Sequence, residues 1–131
     1  MTKIIDAENA VMGRIASFAA KEALKGEEVV ILNCEKAIIS GRREDIKEKF
    51  EVRRKRVGTL QVGPKMSILT EKYFKRIVRG MLPDHRSGRG RDALKRIRCY
   101  KSVPEKFKDV KKIEMFREKK IKFMRVHELT R

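Results

Sequence analysis

The 131-residue chain has no tryptophan, two tyrosines, three prolines and two cysteines, and acidic residues are outnumbered by basic ones almost two to one. Each scarcity excludes something. With aromatics at 6% of residues, a surface built to stack successive bases of a single strand is disfavoured. Cys34 and Cys99 lie apart, without C-x-x-C spacing and each in or beside an apolar run, which fits reduced core thiols with no disulfide between them. His85 and His127 have no second ligand at helical or zinc-finger spacing, so no metal site is expected. No apolar run approaches the roughly 18 residues needed to span a bilayer, and the start, MTKIIDAENA, lacks the charged-then-apolar layout of a signal peptide. No membrane partner and a cytoplasmic location follow as expectations.

Positive charge is what the chain has in excess. Thirty-five Lys and Arg against eighteen Asp and Glu give a formal net charge of +17, a self-repulsion that a polyanionic partner would relieve. The excess is unevenly placed. Residues 1–41 hold five basic and six acidic side chains, whereas residues 42–131 hold thirty and twelve. The first third therefore reads as core-forming and the remainder as contact-forming.

Lys3–Asp6 is a short apolar run, followed by a helical stripe of Ile15, Phe18, Ala19 and Ala23, with Asn9 as N-cap and Gly26 just past the end. Gly13 sits in the early turns of that helix, where it costs about 1 kcal/mol against Ala and implies a close backbone approach. Glu28–Asn33 (EVVILN) is continuously apolar and β-branched, the pattern of a strand buried on both faces of a parallel sheet. Strand, helix, strand makes a βαβ unit. Ala37–Ser40 is a further short strand or turn. The next stretch, RREDIKEKFEVRRKRVG, is a helix by the spacing of Ile46, Phe50 and Val57, and its end is a run of cations. Thr59–Pro64 is a loop or hairpin tip. Thr70 is expected to cap a helix whose buried stripe is Tyr73, Phe74, Ile77, Val78 and Met81, stopped by Pro83.

The stretch Val78–Lys101 (VRGMLPDHRSGRGRDALKRIRCYK) concentrates the chemistry. Arg79, Arg86, Arg89 and Arg91 offer planar guanidinium forks that match phosphate oxygens, and Gly88 and Gly90 would let backbone amides approach a polyanion in a loop. Segments 58–65 and 84–91 have few apolar side chains, so little burial is available to offset the ordering of their backbone. The spelling G-x-G-x-x-A over Gly88–Ala93 follows no predicted strand and carries arginines between the glycines, so it reads as coincidence and no cofactor or small-molecule substrate is expected. Asp92–Arg96 reads as a short helix and Ile97–Tyr100 as a strand. The tail beyond Lys108 mixes helical and strand-like spacing and receives no assignment.

IDAENAVMGRIAS, VVILNCEKAIISGRR and RGMLPDHRSGRGRDALKRIRCYKSVPEKF together resemble the signature blocks of the family of the thirteenth protein of the large ribosomal subunit, in its archaeal or eukaryotic-like form. The resemblance runs from about Ile4 to Phe107. It implies a single three-layer α/β/α domain over residues 1–131 with a central four-stranded, mostly parallel sheet and a less certain extension from about 108. It further implies a non-enzymatic component of the cytoplasmic ribosome that binds large-subunit ribosomal RNA, touches neighbouring ribosomal proteins and supports early subunit assembly. The RNA-contacting positions it implies are Arg79, Arg86, Arg89, Arg91, Lys95 and Arg96, with Arg42 and Arg43 after the second block. Charge and loop placement add Arg53, Arg54, Lys55, Arg56, Lys65 and His85. Two other readings stand beside it: an extraribosomal regulator that binds messenger RNA, and an RNA-modifying enzyme on an α/β scaffold.

Overall fold

The computed structural model describes residues 1–56, 66–115 and 121–130. Val57, Thr59–Pro64 and Lys65, all assigned some role above, lie outside the described residues.

The fold is built outward from two strands, β1 (Thr2–Asp6) and β2 (Glu28–Leu32), which pair in parallel with Ile5 opposite Ile31. Between them runs helix α1 (Met12–Leu24), completing the expected βαβ unit. β2 also pairs in parallel with β4 (Ile97–Cys99), and β1 with β5 (Ile113–Glu114). The sheet order is β4-β2-β1-β5, so the apolar run of β2 is an interior strand with Val29–Leu32 all buried. A second, antiparallel pair joins β3 (Ile38–Ser40) to β6 (Phe123–Arg125).

Alternation along the strands separates two apolar layers. On one face Ile5, Val29, Ile31 and Ile97 pack with Ile15, Ala16, Ala19 and Ala23 of α1, and with helices α3 (Thr70–Gly80) and α4 (Gly88–Arg96) through Tyr73, Phe74, Val78 and Ala93. On the other face Ile4, Val30 and Leu32 are covered by Tyr100, Val103 and Phe107, the last in the 3-10 turn Glu105–Phe107. The three-layer α/β architecture thus has one thick helical layer and one thin one. Helix α2 (Arg43–Lys55) reaches the main core through Phe50, whose ring meets Tyr73 edge-on at 5.4 Å.

Several local expectations differ from what is found. Asn9 does not cap α1; it sits at φ +57° in the turn between β1 and the helix, its N–H bonded to the Lys36 carbonyl, and Val11 holds the cap position without a side-chain bond. Gly26 does close the helix, at φ +101°, with the Gly26 and Glu27 amides returning to the Ala23 and Glu22 carbonyls in a Schellman arrangement. Thr70 is the first residue of α3 rather than its cap, because its hydroxyl is drawn inward to Thr130 at 2.7 Å. Met81 is 43% exposed and leaves the buried stripe. A Cβ on Gly13 would meet nothing within 4 Å, so among the described residues no backbone from outside its own helix approaches it.

Two polar features stabilise the α1 layer. Glu22 is 3% exposed and accepts from Lys3 and from Lys25 (2.8 Å); the Lys25 hydrogen bond and then that of Lys3 hold its carboxyl below the usual range. Cys34, in the 3-10 turn after β2, is buried and Cys99 is half-buried; both thiols are free. The neighbouring Cys99 thiol and burial push the Cys34 thiol up, away from the reactive thiolate.

The glycines of α4 have a structural role that the sequence pattern conceals. Gly90 is buried, and a Cβ there would overlap the carbonyl oxygens of Pro83 and Asp84 and stand 2.9 Å from the Asp84 carbonyl carbon. The turn after α3 therefore rests directly on the first turn of α4. Gly90→Ala should lower stability by about 1 to 3 kcal/mol through forced overlap, whereas Gly13→Ala, with open space and helical backbone, should raise it by about 0.5 to 1 kcal/mol. Thermal melts of the two variants against the parent chain check both signs.

Candidate nucleic-acid interface

The apolar stripe of α3 fixes what its opposite face presents. With Tyr73, Phe74 and Val78 turned into the core, Lys72, Lys75, Arg76 and Arg79 fall at i, i+3, i+4 and i+7 on the outer side. Together with Ser67 and Leu94 they line a cleft of about 290 Å³ between α3 and α4. No acidic side chain lines it, and none of these four cations has an ion pair among the described residues. Of the four, only Arg79 was anticipated. The signal for Lys72, Lys75 and Arg76 was present as the polar complement of the buried stripe.

Arg86, Arg89 and Arg91 are not carried by the expected loop. Gly88 and Gly90 belong to α4, so Arg89 and Arg91 project from its first turn, and Arg86 from the preceding turn. That turn is held by one side chain. Asp84 accepts from the Arg86 N–H (3.0 Å) and from the Ser87 hydroxyl (2.8 Å), which pins residues 84–87 before the helix begins. Segment 84–91 thus has internal order that a count of its apolar residues does not register. The G-x-G-x-x-A pattern follows a turn after α3 rather than a strand, and Gly90 is taken up by packing on Pro83 and Asp84.

The macrodipole separates informative cations from ordinary ones. In α2 the first turn carries Glu44 and Asp45 and the last carries Arg53, Arg54 and Lys55, signs that the helix favours there, while Arg43 at its start is paired with Glu128. In α4 the first turn has no acid and instead carries arginines, which is unfavourable by about 0.3 to 1 kcal/mol per charge when exposed. A phosphate group at that end would satisfy the arginines and the free helix N–H groups together. Lys95 and Arg96, in the last turn of α4, conform to the dipole.

The remaining expected positions divide by what already engages them. Arg96 is half-buried and donates to the Ala23 carbonyl at 3.4 Å, and Arg43 pairs with Glu128, which lowers that carboxyl's pKa. Arg54 lies over the Phe50 ring at 6.0 Å, and Lys55 pairs with Glu51 at 3.7 Å. Arg53 and Arg56 line a groove of about 380 Å³ with Glu48, Lys49 and Val52 along α2. Arg42 is exposed and His85 half-buried. Arg79 thus lines the α3–α4 cleft, Arg86, Arg89 and Arg91 are exposed in the turn before α4 and in its first turns, and the α2 positions lie on another element. Among the described residues no group of three or more His, Cys, Asp or Glu side chains is placed to hold a metal ion, and no helix is long and apolar enough to cross a membrane.

The family model described as ribosomal protein L13 matches residues 1–106. The chain is similar to large ribosomal subunit protein uL13 of Methanopyrus kandleri, 48% identical over 101 residues, which are 77% of this chain and 62% of that protein. It is 38% identical to the uL13 protein of Methanococcoides burtonii over 133 aligned residues, 98% of this chain and 94% of the relative. Against the uL13 protein of Archaeoglobus fulgidus the figures are 42% over 113 residues, 85% and 71%. The match spans less than two thirds of the first relative and nearly all of the second.

Acid should loosen the turn that presents these arginines. The Arg86 N–H and then the Ser87 hydroxyl hold the Asp84 carboxyl below its ordinary value, so its contribution is present above about pH 4 and lost as pH falls through the lower folded-state value. Glu22 and Glu128 share that direction. Asp84→Asn should make the fall in melting temperature between about pH 5 and 2 shallower than in the parent, which a series of melts across that range measures.

Proposed function

This chain belongs to the ribosomal protein L13 family, and from that premise we propose that it is a structural component of the large ribosomal subunit. In this reading it binds large-subunit ribosomal RNA directly, sits among neighbouring large-subunit proteins in the cytoplasmic ribosome, and supports early assembly. Its role is non-catalytic. The names of the relatives support the ribosomal setting. The observation that carries direct RNA binding is the cleft lined by Lys72, Lys75, Arg76 and Arg79 with no acidic side chain among its described residues.

The mechanism is electrostatic positioning. Phosphates entering between α3 and α4 meet four cations on a helix whose other face is fixed in the core, so little side-chain-bearing backbone has to be ordered on binding. Arginine forks add bidentate geometry, and each phosphate neutralised releases condensed counterions. Discrimination between RNAs then comes from the spacing of these phosphate contacts, that is, from the shape of a folded RNA. Such a surface also accommodates a structured messenger RNA, which keeps the regulatory reading open to the same test.

Affinity for large-subunit ribosomal RNA should fall about 10³-fold or more between roughly 50 and 200 mM salt if some six to ten phosphates are contacted. Arg86→Ala, Arg89→Ala and Arg91→Ala combined should not lower the melting temperature of the free protein, and should raise it by a few degrees at most, since all three side chains are exposed and two oppose the α4 dipole, while weakening RNA binding and incorporation into particles. Filter binding across a salt series and cosedimentation with large subunits through a high-salt wash measure these outcomes. A nearly flat salt dependence, or a protein that the wash strips from the particle, would count against the reading.

A further inference from the structure

A second cleft, of about 620 Å³, lies where the start of α2 meets the start of β6 and combines apolar surface with cations. Its walls are Gly41, Arg42, Arg43 and Glu44 on one side and Ile121, Lys122 and Phe123 on the other. The walls are joined by the Gly41 N–H donating to the Lys122 carbonyl at 3.1 Å and by the β3–β6 register that sets Ser40 opposite Phe123. Two large apolar side chains stand open there, Ile121 at 99% and Phe123 at 38% exposure. Arg42 and Lys122 have no ion pair among the described residues, whereas Arg43 is held by Glu128.

Burying Ile121 and Phe123 calls for a flat apolar surface, and the flanking Arg42 and Lys122 call for an anion attached to it. A nucleotide meets both demands: the base face covers the aromatic ring and its phosphate lies between the cations. The volume suits a single unstacked residue, since pockets for compact ligands run from about 300 to 1,000 Å³. We propose that this cleft receives one unpaired nucleotide of the bound RNA, with its base against Phe123 and Ile121 and its phosphate held by Arg42 and Lys122. The proposal rests on the RNA-binding reading above and adds to it a stacking contact in a part of the chain, residues 121–123, beyond the matched stretch 1–106.

The test uses the full chain and large-subunit ribosomal RNA transcribed with 4-thiouridine. Photo-crosslinks located by mass spectrometry should fall on Phe123 or Ile121. Phe123→Leu should weaken binding about tenfold with the salt slope unchanged, Phe123→Tyr should restore the affinity, and Arg42→Ala should lower the slope by about one ion. Melting curves of each variant confirm folding, and the Tyr variant keeps the comparison valid if the Leu variant melts lower. Parent-like affinity in Phe123→Leu, with steep salt dependence and no crosslink at the cleft, overturns this site while leaving the α3–α4 reading intact. A Phe123→Leu defect seen only in assembled particles, and not with naked RNA, also overturns it and assigns the cleft to a protein neighbour. Failure of the parent chain to bind the RNA removes both readings.

Discussion

Helices α3 and α4, which carry the outward cations, are held through one apolar layer, the face of the sheet formed by Ile5, Val29, Ile31 and Ile97. Helix α1 packs on that face with small side chains, Ala16, Ala19 and Ala23, which lets α3 and α4 come in beside it. The outward geometry of Lys72, Lys75, Arg76 and Arg79 is thus the mirror of the inward geometry of Tyr73, Phe74 and Val78. Loss of packing on the inner side would change the spacing of the cations without touching any of them. In this protein the core is what sets the distances between charges.

Much of this was legible from residue patterns because the determining forces are local or two-sided. The run VVIL of β2 is apolar on both faces since both faces are covered, and α1 and α3 show a helical stripe because each buries one side only. What was not legible depends on partners distant in sequence. Thr70 has the chemistry of a cap, yet Thr130 takes its hydroxyl. Asn9 likewise has a cap's chemistry, but the Lys36 carbonyl draws its N–H into a left-handed turn. β5 and β6 span two and three residues, too short for any period, and exist because β1 and β3 offer edges to pair with.

The Gly-Arg stretch shows the same point in a sharper form. By propensity, two glycines within three residues argue against a helix. Yet α4 begins there, because the carbonyls of Pro83 and Asp84 occupy the space where a Cβ at residue 90 would be. The glycine that resembled a concession to a ligand is a concession to the protein's own backbone. Arg89 and Arg91 stand on a helix rather than a loop, and Arg86 in a turn that Asp84 pins and that packs on Gly90, so the fold itself orders their backbone.

Charge placement then separates two kinds of basic surface that composition alone merges. Arg53, Arg54 and Lys55 of α2 sit where the macrodipole favours them, and Arg43 at its start is paired with Glu128, so these need no outside partner to account for their position. Those at the start of α4 oppose the dipole, and those of α3 crowd one another without an acid between them. A polyanion would resolve both conflicts at once. The near-neutral first third of the chain completes the logic: β1, α1 and β2 assemble the core without strong self-repulsion, and the later helices carry the positive charge on positions that this core has already fixed.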